Sequence, residues 1–223
     1  MVFTFCEYDT HYLNQKAKFV CRYLKNNKND KKNALITVRQ NGLALLYASD
    51  DLKKDKNVVL AAVKQNGKAL ECAFDDLKKD KDIVLAAVKQ NGKALEYAFD
   101  DLKKDKDIVL AAIKQNGCAL VHTHDDLKKD KKIVLIAIKR NGFALKYVSD
   151  DLKKDKEVVI TAVKLHPYVF KYVCYKVKDK DIALTAIKQD GCLLEYAHDN
   201  VISFCQNRFQ VEVYERQENR FFF

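Results

Sequence analysis

Apolar positions return at the same places every 25 residues between about residue 30 and residue 203. Counted from the Asp of each Asp-Lys pair, units start at Asp30, Asp55, Asp80, Asp105, Asp130, Asp155 and Asp179. The last step is 24, one residue short. In the unit 80–104, "DKDIVLAAVKQNGKALEYAFDDLKK", positions 4, 5, 8 and 9 are Ile83, Val84, Ala87 and Val88. That spacing makes one stripe of an α-helix, with positions 3, 7 and 10 opposite it. Asp at position 1 suits an N-cap, because its carboxylate accepts from free backbone N–H groups. Acidic residues at position 3 (Asp82, Asp107, Glu157, Asp181) suit the positive end of the helix dipole.

All six glycines (Gly42, Gly67, Gly92, Gly117, Gly142, Gly191) stand at position 13. The pattern predicts that each closes the first helix at positive φ, where glycine has no steric penalty. A second, shorter helix follows, with Ala94, Leu95 and Ala98 inward. "DDLKK" then makes a capped turn anchored by Leu102. The prediction is an all-α fold: an α-solenoid of seven helix–turn–helix repeats over 30–203. Residues 1–29 and 204–223 are expected to cap its ends, since a terminal repeat has one unpaired face. The first segment offers Tyr12, Phe19, Val20 and Tyr23 to a core, and "RFQVEVY" near the C-terminus alternates like a short strand.

A parallel β-solenoid of the leucine-rich type is the rival, because "IVLAAV" has a strand-like composition. The Asp cap, the paired alanines, the Gly stop and the missing L-x-x-L-x-L pattern favour helices. The sixth unit departs from the rule, with His166 and Pro167 in place of Asn-Gly. Proline cannot take positive φ, so this unit is expected to end its first helix differently and to bend the stack.

The units "DKDIVLAAVKQNGKALEYA" and "DKEVVITAV" resemble a repeat family catalogued as domain of unknown function 4116. The resemblance covers about residues 30–200. It implies a helical repeat array in an intracellular, host-associated setting, as found in amoeba-associated bacteria, protists and large DNA viruses. It implies no activity and no catalytic residues.

Composition narrows the classes further. The chain has 223 residues, 48% of them hydrophobic, enough for a core without metals or disulfides. No apolar run approaches the roughly 18 residues of a membrane span. The N-terminal stretch lacks the pattern of a secretory signal. Seven cysteines without a CxxC read as reduced thiols in a cytoplasmic compartment. The net charge of +10 favours acidic partners, but it is local: residues 130–178 carry 12 basic and 5 acidic side chains, whereas 80–129 balance.

In a stacked array, equal positions form ladders, and variable exposed positions carry specificity. Position 10 is always basic: Arg39, Lys64, Lys89, Lys114, Lys139, Lys164, Lys188. It reads as a rail for a polyanion or as a solvated helix end that complements the dipole. Position 18 is mostly tyrosine, a packing row or a stacking face. Positions 14 and 17 vary freely and mark a candidate recognition strip. Its strongest section is Phe143, Lys146, Tyr168 and Lys171, with Lys68 and Lys93 earlier in the array. Cys118 and His122 are one helical turn apart and form a weak zinc candidate, short of two ligands.

No phosphate-binding glycine loop, nucleophile elbow or HExxH occurs. Near-identical units copy one surface, whereas a catalytic centre needs different residues converging. The reading is therefore a non-catalytic scaffold without cofactor that binds a protein partner, with a host-cell protein as one target class. Nucleic-acid or anionic-surface binding through the basic ladder is the alternative, and a structural virion component a third.

Overall fold

The computed structural model describes residues 30–173 and 180–197. The capping helix, the C-terminal strand and the short link before the last repeat lie outside the described residues. The chain divides into two compact units, Met1–His124 and Asp125–Phe223. In the first, α1 (Lys31–Gln40), α2 (Lys56–Gln65), α3 (Lys81–Gln90) and α4 (Lys106–Gln115) each lead into a six-residue 3-10 helix. Those are Gly42–Tyr47, Gly67–Cys72, Gly92–Tyr97 and Gly117–His122. The second unit repeats the scheme with α5 (Lys131–Arg140), α6 (Lys156–Leu165) and α7 (Lys180–Ile187). Its 3-10 helices are Gly142–Tyr147, Pro167–Tyr172 and Gly191–Tyr196.

Within each unit, each first helix packs on the next first helix and each 3-10 helix on the next 3-10 helix. This is the α-solenoid arrangement, and the described residues contain no strand. The second helix is tighter than an α-helix, closing i→i+3 bonds such as Ala69 N–H to the Asn66 carbonyl at 2.9 Å.

The core follows the repeat positions. Ile83, Val84, Ala87, Val88, Ala94 and Leu95 are all fully buried, as are their counterparts in neighbouring repeats. Each buried Ile, Val or Leu side chain contributes about 1.5–3 kcal/mol of transfer free energy. The sixth repeat places Phe170 where the others have leucine, and it too is fully buried.

The asparagine, not the glycine, turns the corner between the helices. Asn66 is extended (φ −147°, ψ 110°), donates its N–H to the Ala62 carbonyl and accepts from Lys68 N–H through Oδ1 at 3.0 Å. It thus ends α2 and caps the 3-10 helix at once. No glycine has positive φ. The expected left-handed stop is therefore corrected: the glycine serves close approach of the next repeat. A Cβ on Gly67 would collide with the Ala87 carbonyl oxygen of α3 and stand 3.0 Å from Gln90 Oε1. Gly92 meets Ala112 and Gln115 in the same way.

The same correction explains the sixth repeat. His166 is extended (φ −143°, ψ 89°) and its N–H still bonds the Ala162 carbonyl, so α6 ends as the others do. Extended geometry is what a residue before proline prefers, and Pro167 starts the 3-10 helix where no N–H is needed.

Polar ties join consecutive repeats. Gln90 accepts from Gly67 N–H at 2.6 Å and donates Nε2 to the Gln65 carbonyl at 3.3 Å. Gln65 and Gln115 do the same one repeat before and after. The capping Asp55, Asp80, Asp105 and Asp155 also serve two repeats. Asp105 Oδ1 accepts from Asp107 and Ile108 N–H groups, while Oδ2 pairs with Lys81 of the preceding helix at 2.7 Å. The Lys81 ion pair holds the Asp105 carboxyl below its usual range, and Lys131 does so for Asp155. At Asp55 and Asp80 burial acts upward, but the lysine and two backbone donors together outweigh it.

Candidate functional site

The recognition strip lies on the 3-10 helices, where i and i+3 side chains eclipse. In the second unit the expected residues lie on two successive 3-10 helices. Phe143 and Tyr168 are 40% and 55% exposed, large values for aromatic side chains in a folded repeat. The Phe143 ring lies 5.7 Å from the His166 ring. Lys146 and Lys171 both reach the face of Tyr172, at 5.9 and 4.9 Å from its centroid. Tyr168 donates its hydroxyl to Asp190 Oδ2 at 2.6 Å, which raises the phenol's pKa and lowers that of the carboxyl. The result is a set of exposed aromatic side chains, of which Tyr172 has two ammonium groups held against it by cation–π attraction.

In the first unit the strip has a different character. Lys68 and Lys93 are exposed beside exposed Glu71 and Glu96, whereas Cys118 and Val121 are half-buried. Burial pushes the Cys118 thiol up, so it is a poor thiolate donor. His122 faces Glu96, Nε2 to Oε2 at 3.9 Å. Among the described residues no three His, Cys, Asp or Glu side chains gather as a metal set.

The basic ladder is exposed along its whole length, Arg39, Lys64, Lys89, Lys114, Lys139, Lys164 and Lys188 alike. Several other lysines are paired: Lys31, Lys56, Lys81 and Lys131 at position 2 with the next repeat's cap, and Lys78, Lys103, Lys128 and Lys153 with aspartates three residues earlier. Among the described residues the ladder enters no ion pair.

Two features escaped the sequence pattern. Tyr172, in the tyrosine row, is the ring on which both strip lysines converge. Position 6 holds Leu35, Leu60, Leu85, Leu110, Leu135, Ile160 and Leu184, all half-buried. It falls outside the core stripe, and its constancy across seven repeats was the available signal. In the first unit it floors a groove between each pair of neighbouring first helices, with ladder residues on the rim.

The chain matches the model of domain of unknown function 4116 (DUF4116) over residues 30–78, 80–128, 130–178 and 155–202. It belongs to this family. Each of the four matched segments spans two DUF4116 repeats, the smallest piece with one inter-repeat interface. No curated protein and no solved structure matches the chain. Among the described residues no helix is long and apolar enough to cross a membrane.

Proposed function

We propose that this DUF4116 chain is a non-catalytic scaffold that binds a protein partner inside a cell, a host-cell protein being one target class. The binding surface is the strip on the 3-10 helices. One observation supports this above others: exposed large apolar side chains concentrate there. Among the described residues, four of the twelve such side chains (Leu43, Leu46, Phe143, Tyr168) occupy positions 14 or 17, and three more (Tyr47, Tyr172, Tyr196) the adjoining tyrosine row at position 18. Exposed aromatic side chains beside basic ones match the residue types enriched at protein interfaces, among which aromatics and arginine lead. The test is capture of partners from nuclease-treated lysate by the native chain and by a Phe143→Ala/Tyr168→Ala variant. The variant should lose the captured protein, at a cost of about 2 kcal/mol or more in binding. Equal capture by both would remove the strip from the reading.

The unpaired ladder favours a second reading, binding of nucleic acid or an anionic surface. Such binding weakens steeply with salt because counterions are released. Reversal of Lys139, Lys146 and Lys171 to glutamate should then abolish it, while an apolar contact would persist at high salt.

A further inference from the structure

The grooves between first helices form a second surface, separate from the strip. Three follow one another in the first unit, with volumes of ≈ 470, 530 and 520 Å³. Their floors are aliphatic: Leu60, Leu85 and Ala86 line the middle one, Leu85, Leu110 and Ala111 the next. Along the C-terminal rim run Lys64, Lys89 and Lys114, exposed and outside any ion pair among the described residues. The opposite rim carries Asp82 and Asp107, which lie 3.6 and 3.7 Å from Lys56 and Lys81 of the preceding helices. The acidic rim is thus neutralised within the fold and the basic rim is not. Each groove presents an apolar floor beside one uncompensated row of positive charge.

Spacing sets the shape of an occupant. Adjacent packed helices lie about 8–10 Å apart. A peptide extended in the polyproline II conformation advances about 3.1 Å per residue with three residues per turn, so side chains three apart share a face and about three residues span one helix. We infer that the first unit binds an extended acidic peptide running across the first helices, with an apolar side chain in each groove and an Asp or Glu on each rim lysine. Nucleic acid fits these grooves poorly, because Leu and Ala offer no aromatic face on which a base can stack.

The test uses the full chain and a fluorescent peptide of four Leu-Ser-Glu triplets. Controls are the Leu-Ser-Lys and Ser-Ser-Glu peptides and an oligothymidine of similar length. The native chain should bind only the Leu-Ser-Glu peptide, and the methyl signals of Leu60, Leu85 and Leu110 should shift on binding. A Lys64→Glu/Lys89→Glu/Lys114→Glu variant, with its helical circular dichroism intact, should bind about tenfold more weakly or worse. That variant should instead gain affinity for the Leu-Ser-Lys peptide. Absence of binding, binding unchanged by the charge reversal, shifts confined to other methyls, or displacement of the peptide by oligothymidine would each overturn the inference. The Phe143→Ala/Tyr168→Ala variant should keep its peptide affinity, so failure of the strip and failure of the grooves are read separately.

Discussion

At the scale of single residues, glycine at position 13 carries the tightest constraint, and its cause lies in the following repeat. Gly67→Ala places a methyl against the Ala87 carbonyl and the Gln90 amide. It should destabilise the chain by about 1–3 kcal/mol in urea denaturation, the usual cost of overpacking. Gly191 is the contrast, since nothing lies within 4 Å of a Cβ built there. Gly191→Ala should be neutral or stabilising by up to about 1 kcal/mol, because alanine restricts the unfolded chain. If both substitutions cost the same, close approach is not the reason for the glycine. The sequence marked these positions correctly and misjudged why. Positive φ is a local explanation, and the actual neighbour, Ala87 for Gly67, is twenty residues away.

At the scale of the element, α2, α3, α4 and α6 are each held by an aspartate that works twice, for its own N-terminus and for the preceding repeat's lysine. The carboxyls of Asp55, Asp80, Asp105 and Asp155 are held below their ordinary range in the folded chain. As pH falls, the unfolded chain takes up protons first, so folding loses stability on acidification. The contribution is complete above the unfolded carboxyl range near about pH 4 and drains away as pH drops through the native values. The urea midpoint should therefore hold steady from neutrality down to about pH 5 and fall below about pH 4. Asp105→Asn, which keeps a good cap but removes the charge, should flatten that fall. An unchanged acid limb would mean that other groups govern it. The cap itself was legible in sequence, because Asp before an apolar stripe is a local signal. Its pairing with a lysine 24 residues earlier was not.

At the scale of the molecule, the main packing among the described residues within each unit is between successive repeats, so stability should be modular. Deletion of residues 80–104 joins Lys79 to Asp105 and brings Gln115 to Gly67, and Asp105 to Lys56, in register. The shortened chain should remain helical and unfold cooperatively at a somewhat lower temperature by circular dichroism. Deletion of one residue fewer should be far more damaging, because it breaks the register of caps, glycines and glutamines together. Equal behaviour of the two deletions would mean that the inter-repeat ties contribute little. The candidate surfaces were partly legible at this scale. Variable positions 14 and 17 pointed to the strip, and the exposed Phe143 and Tyr168 lie there. The grooves were not, because a groove belongs to two helices and a single helix pattern shows only one wall.

The sequence alone determined the repeat, its 25-residue period, the helical character of its first element and the identity of its core. Each of these is written in spacing along one short segment, where the 3.6-residue turn and local capping act. Only the tertiary structure decided why position 13 is glycine, what position 11 glutamine bonds, which lysines keep their charge uncompensated and where apolar surface stays open. Those are properties of one repeat laid against the next. Distance along the chain hides them, and packing creates them.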